Sequence, residues 1–328
     1  LGVVLGDIPD LGSGRIGLDV LFQQPVEGNI SGSQRWSGEV SVDGDLVIEP
    51  GAVLTLAAGT RVVFAGTDSR QTGFDAGRCE LIAYGDLVIE ATSAAPVRLE
   101  AASSRDWLGL LLLNGNNPGL ESRAEEGGLV LAGARLGIVR SRLPPGLTQW
   151  TRSRRVPWDL VIPAGAELRL ASGIEVRFAA EDLGVGGRVP SFAELVVEGG
   201  LTIAGSAASP ATLTVDSRRP DALWYGVRIV AGGSVEATGL DLSQAVRGIS
   251  GEVSQTGALR LADSRLSRLL YGLDVDLFRD AAVDRTSFEE ITANGVRVGG
   301  FGRLRLRGST IEGAGQEGVL TSNASLEL

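Results

Sequence analysis

The chemistry open to this chain rests on carboxylates and guanidinium groups. Its 328 residues include 40 Asp and Glu, 30 basic residues that are all arginine, one cysteine, and no histidine, lysine or methionine. Without histidine there is no Ser-His-Asp or Cys-His arrangement and no His-bearing zinc site, and a single cysteine builds no thiolate cluster. The glycine-rich run 184–187 is followed by neither a helical pattern nor Gly-Lys-Ser/Thr, so it reads poorly as a phosphate cradle. The carboxylates best placed to work together are Asp274 and Asp276, two apart in a strand-like run and so on one face. Arg297 is expected one repeat further along, beside Asp274. The plainer reading of the three is an ion-pair ladder between stacked strands. Glu289 and Glu290 would point to opposite faces of a strand, which makes them a poor acid and base pair and favours a corner.

Two loops of equal length offer a different kind of chemistry. Residues 65–79 and 179–193 each follow a phenylalanine, Phe64 and Phe178, and their side chains have diverged. The first carries Asp68, Arg70, Phe74, Asp75 and Arg78; the second carries Glu181, Asp182, Arg188 and Phe192. Constant length with altered side chains suits loops that project from a fixed scaffold and recognise a glycan or a protein. The alternative is a pair of flaps over the core edge, pinned by Phe74 and Phe192. Arg140, Arg142, Arg152, Arg154 and Arg155 form the one basic concentration, read as a solvated face or a contact for an acidic partner. Cys79 reads as a packed small residue, its counterpart in the second loop being Ala193.

The elements that must position these residues follow from repeats. Ala237, Leu242 and Gly248 recur as Leu261, Leu266, Gly272, then Val283, Phe288, Gly295, then Leu306, Ile311, Gly318; the first members lie 24, 22 and 23 residues apart. No 3.6-residue face is sustained, so each repeat is several short strands joined at Gly, Asp and Ser corners. One such coil cannot bury its own apolar face, so successive coils must stack in parallel at about 4.8 Å per layer. In this the chain resembles the right-handed parallel β-helix repeat proteins, found as stalks, adhesins and polysaccharide-processing enzymes on bacterial surfaces and phage tails. The expected fold is all-β, a right-handed parallel β-helix with coils of about 22–24 residues and no substantial α-helix.

A larger repeat lies upstream. An offset of 114 maps Trp36 onto Trp150, Asp45-Leu46-Val47-Ile48 onto Asp159-Leu160-Val161-Ile162, Glu80 onto Glu194 and Pro96 onto Pro210, with twelve of twenty positions identical across 45–64. Trp107-Leu108-Gly109 and Trp224-Tyr225-Gly226 then match at an offset of 117. The block resembles a module common in large secreted β-helix proteins. The expected organisation is a connector or cap over 1–35, then a continuous β-helix over 36–328, with a tandem duplication (36–110 and 150–227) followed by short coils over 234–328. The lack of methionine and a last strand at 325–328 suggest a piece of a longer or processed polypeptide.

Composition agrees with narrow stacked coils: 47 glycines, and 43% hydrophobic residues, mostly aliphatic. A net charge of −10 disfavours nucleic acid. No run approaches the roughly 20 apolar residues of a membrane span, so no transmembrane segment is expected. The family resemblance adds two enzymatic expectations: the histidine motif of polygalacturonase-like enzymes is missing, whereas a pectate-lyase-like site of calcium-binding carboxylates and an arginine base is compatible with the composition. Asp274, Asp276 and Arg297 are its best candidates, with Ca2+ the ion it would take; otherwise no cofactor or metal is expected. The reading is a noncatalytic scaffold or adhesin-like stalk, extracellular or cell-surface, with outer-membrane association compatible with it, whose partners are other subunits of a surface assembly or a glycan. A polysaccharide lyase or hydrolase and a noncatalytic glycan-binding module are the competing classes. A groove gathering three or more carboxylates and arginines beside exposed aromatics would favour these; a scattered outer face would favour the scaffold.

Overall fold

The computed structural model describes residues 26–102, 106–114, 117–182, 188–230, 232–251, 258–276, 280–300 and 302–328, and the backbone alone for 2–5, 20–23, Asp276 and Asp280. The described chain is nearly all-β, with strands joined by turns, and its sheets are parallel apart from the pair Gly2–Leu5 and Val20–Gln23, which is antiparallel. The one helix among the described residues, Leu120–Glu125, spans six residues and buries only Leu120. Two compact units emerge, one of 1–112 with 117–138, the other of 113–116 with 139–328.

In the first unit three parallel ladders recur. Ser33–Trp36, Val53–Leu56 and Asp86–Ile89 form one. The long strand Glu39–Ile48 serves the other two: its first half pairs Arg61–Phe64, which is followed by Val97–Ala101 and Leu129–Ala132, and its second half pairs Glu80–Ala83, followed by Gly109–Leu112. Alternation along these strands turns Val42, Leu54, Val62, Phe64 and Leu99 inward, each almost wholly buried. Parallel pairing begins at Val26–Ile30, upstream of the duplicated block and inside the expected connector.

The second unit repeats that plan and extends it. An eight-stranded ladder runs from Gly146–Trp150 to Ser325–Glu327. The long strands Leu240–Gly251 and Arg265–Asp276 join its two other ladders into a single twelve-stranded sheet. The expected columns are present in register: Ala237, Leu261, Val283 and Leu306 pair in succession, as do Leu242, Leu266, Phe288 and Ile311.

The glycine column has a steric origin. A Cβ on Gly248 would lie 2.4 Å from the Gly272 carbonyl oxygen, and one on Gly272 would lie 2.3 Å from that of Gly295, so only a bare Cα lets the next layer approach. The long strands turn through left-handed residues instead of loops: Gln244, Arg268 and Glu290 all have φ of +55°. Glu290 is thus a bend within the strand Ser287–Ile291, while Glu289 stays in the ladder opposite Ser267.

Candidate functional site

The features with most chemical content are the roots of the two fifteen-residue loops. In the first unit Asp45 lies within the strand Glu39–Ile48, and its Oδ1 accepts the Glu80 N–H at 3.0 Å while its Oδ2 accepts the Thr72 hydroxyl at 2.7 Å. Glu80 accepts the backbone N–H of Phe74 at 3.0 Å and of Asp75 at 2.6 Å. Asp68 accepts three backbone N–H groups, from Asp45, Arg70 and Thr72, at 3.3, 2.9 and 2.8 Å. All three acids are buried. They replace the ladder partners that a chain leaving a sheet forfeits, so the loop backbone is satisfied without a strand.

The second unit rebuilds this root. Asp159, Asp182 and Glu194 stand where an offset of 114 carries Asp45, Asp68 and Glu80, and they too are buried. Glu194 donates its N–H to Asp159 Oδ1 at 2.8 Å, and its Oε1 accepts the N–H of Arg188 and of Val189, both at 2.9 Å. Arg188 and Val189 are the equivalents of Phe74 and Asp75. The same backbone bonds persist under unrelated side chains because a carboxylate reads an N–H and not the residue that carries it. Asp68 and Asp182, expected among the recognition residues, therefore face the loop roots instead of solvent. Arg70, Glu181 and Arg188 are exposed, and Phe74, Asp75, Arg78 and Phe192 are half-buried. Asp75 and Arg78 form an ion pair at 2.6 Å, and residues 183–187 of the second loop lie outside the described residues.

The roots differ electrostatically. Glu194 Oε2 receives Arg228 Nε at 2.8 Å, whereas the equivalent of Arg228 in the first unit is Leu111. Burial pushes Glu80 up to about 7, and the backbone N–H bonds only partly offset it. Burial, reinforced by the neighbouring Asp182, pushes Asp159 up to about 7 as well. Asp159 Oδ2 has no hydrogen-bond partner among the described residues, and the position of Thr72 is taken by Gly186. Burial also raises the Cys79 thiol to about 12, which makes it inert as a nucleophile.

Acids held above their ordinary 4.5 and 3.8 bind protons more tightly folded than unfolded, so their contribution is complete below about pH 4 and is lost as pH rises through about 7. We expect denaturant unfolding to show a loss of about 1–3 kcal/mol between about pH 5.5 and pH 8, reduced in the Glu80→Gln/Asp159→Asn double variant, with the remainder carried by Asp45 and Asp241, which burial also raises. An unchanged slope in that variant would assign the dependence elsewhere. Exposed pairs do not mask it, because Arg285 and Arg265 hold Asp263 and Glu289 low, so these act only at more acid pH.

Asp274 and Arg297 are register partners, as expected. Asp274 is buried at 3% exposure; Arg297 Nε reaches its Oδ1 at 2.6 Å, and Arg247, whose guanidinium lies 4.9 Å from the Tyr271 ring, pairs with its Oδ2. Both carboxylate oxygens are spent on arginines, so a calcium ion would have to displace one of them. Asp276 pairs with Gly299 through its backbone, and its side chain lies outside the described residues. Among the described residues no group of three or more His, Cys, Asp or Glu is arranged to hold a metal ion.

The basic concentration is dispersed: Arg140 is buried, Arg142 pairs with Glu198 at 3.1 Å, Arg154 lies 5.2 Å from the Trp150 ring, and Arg155 faces Asp216 at 3.4 Å. A groove of about 600 Å3 on the second unit gathers four arginines and three carboxylates, with no aromatic side chain in its lining.

The acid set at the roots was legible only as three positions preserved at one offset, a signal that equal loop length alone does not carry. Among the described residues no helix is long and apolar enough to cross a membrane. Comparison with protein-family models, curated proteins and solved structures returns no match.

Proposed function

We propose that this chain is a noncatalytic structural and interaction segment of a larger secreted or cell-surface bacterial protein, wound as a right-handed parallel β-helix and acting as a rigid scaffold or adhesin-like stalk. Parallel ladders whose partners lie one repeat apart support the winding, and parallel crossovers are right-handed in nearly all proteins. The observation that carries the functional reading is the twin loop root. Buried carboxylates hold the loop backbone at Phe74 and Asp75, and again at Arg188 and Val189, and leave the side chains free to diverge toward different partners. Those partners are other subunits of a surface assembly or a glycan. The clamping of Asp274 between two arginines speaks against the lyase alternative.

Incubation of the protein with acidic and neutral polysaccharides, with and without calcium, should release no reducing ends and no unsaturated-uronate absorbance. Turnover abolished by Asp274→Asn or Arg297→Ala would move the assignment to a lyase.

A further inference from the structure

Loop 65–79 is closed onto its root by carboxylates that face one another. A Cβ built on Gly73 would lie 2.5 Å from Glu80 Oε2 and 2.8 Å from Asp45 Oδ2, so the two acids meet across one bare Cα. Asp68 stands beside them, accepting the N–H groups of Asp45, Arg70 and Thr72. Among the described residues none of these three acids forms an ion pair with an arginine. We propose that loop 65–79 is a pH-sensitive flap, latched while one of Asp45 and Glu80 is protonated and released when both are charged.

The groups that face the latch leave it short of positive charge. Asp43 and Asp45 come from the strand Glu39–Ile48, and Asp68, Arg70, Asp75 and Arg78 from the loop. Arg70 acts on Asp45, yet its Nη1 lies over Gly28, 2.3 Å from where a Cβ there would stand, and so reaches toward the strand Val26–Ile30. Glu27 of that strand accepts the Ser69 hydroxyl at 2.5 Å. Arg78 and Arg135 act on Asp75. Like charges this close in a buried site resist ionising together. Burial pushes Glu80 up to about 7, with Asp45 and Asp75 adding to it, and burial raises Asp45 with help from Asp68. The closed loop therefore binds a proton more tightly than the open loop, where Glu80 titrates near its ordinary 4.5. The latch is complete below that pH and is lost as pH rises through about 7.

The closed backbone is not relaxed. Gln71 sits at φ +52° and Gly73 at +71°, both left-handed, and Gln71 lacks the freedom of a glycine. Release would relieve this cost once the root acids stop opposing it. Under the flap lies Cys79, wholly buried, whose Sγ donates to the carbonyls of Ala65 and Thr67 at the start of the loop, both at 3.5 Å. As the one cysteine of the chain, it reports where the flap stands.

The test is alkylation of Cys79 by iodoacetamide between pH 5.5 and pH 8. Each rate is divided by that of the urea-unfolded chain at the same pH, so that the ionisation of the thiol itself cancels. Hydrogen exchange at the Phe74 and Asp75 amides, which Glu80 holds, is followed beside it and scaled to the intrinsic rates. Both measures should rise about tenfold across this range. Glu80→Gln keeps an oxygen for the two amides without the charge, so it should hold both near their pH 5.5 values, and matched thermal unfolding confirms that the variant folds. The opening is local, so both rates should stay flat up to about 1 M urea while the amides of the strand Arg61–Phe64 exchange faster. Rates indifferent to pH, a rise that survives in Glu80→Gln, or a rise that follows urea together with the core would each overturn the proposal.

Discussion

Trp224→Ala is expected to lower the unfolding free energy by about 3–5 kcal/mol, the range for deleting a buried aromatic. Trp224 is fully buried and stacks on Phe178 with ring centroids 4.2 Å apart and planes 9° from parallel. Its indole N–H donates to the Ser243 carbonyl at 3.0 Å, tying one layer to the next. The chain behind it cannot collapse into the space: Gly226 has φ of +117°, and a Cβ there would fall 1.6 Å from the Arg247 oxygen, so the backbone is already at closest approach. A rigid surround leaves a cavity and keeps the cost near the upper end. Trp224→Phe should cost less, because it keeps much of the stack and loses the hydrogen bond to Ser243. Trp107, stacked on Phe64 at 4.3 Å and bonded to the Ala132 carbonyl at 3.1 Å, should behave alike in the first unit. Urea denaturation and hydrogen exchange measure both; a loss under about 1 kcal/mol for either alanine would show that the stack is not a keystone of its unit.

The second large effect separates two residues that the duplication makes equivalent. Glu194→Ala should cost about 3–5 kcal/mol, because it takes away the carboxylate that the mostly buried Arg228 reaches and frees the N–H groups of Arg188 and Val189. Glu194→Gln keeps an oxygen for the loop but loses the charge, so it should still destabilise, by about 1–3 kcal/mol. Glu80→Gln should instead be neutral or stabilising near pH 8, since Glu80 is pushed up to about 7 and has Leu111 where the second unit has Arg228. Limited proteolysis should find loop 179–193 opened in Glu194→Ala and loop 65–79 intact in Glu80→Gln. Equal destabilisation by the two glutamine variants would mean that the arginine contributes nothing and that backbone anchoring is the whole of the interaction.

Much of this protein can be read from spacing. The intervals from Ala237 to Leu306 specify which residues stack, because an apolar face repeating every 22–24 residues can be buried only against its own next copy. The offset of 114 likewise specifies that Phe64 and Phe178, or Glu80 and Glu194, take equivalent places. Outward chemistry was less legible, because outward positions recur with the strand alternation but their residue types do not. Asp68 looks like a loop-surface residue by composition, and it is buried because three backbone N–H groups with no strand to pair converge on it. The groove on the second unit collects residues from 155 to 268 that no linear motif unites. The sequence by itself determined the all-β character, the layer spacing of the C-terminal repeats, the duplicated blocks and the absence of histidine chemistry, since these follow from residue type and interval. Only the tertiary structure decided which acids are anchors, which arginines they meet and where a groove opens, because burial and ion pairing depend on what the next layer places within a few ångströms.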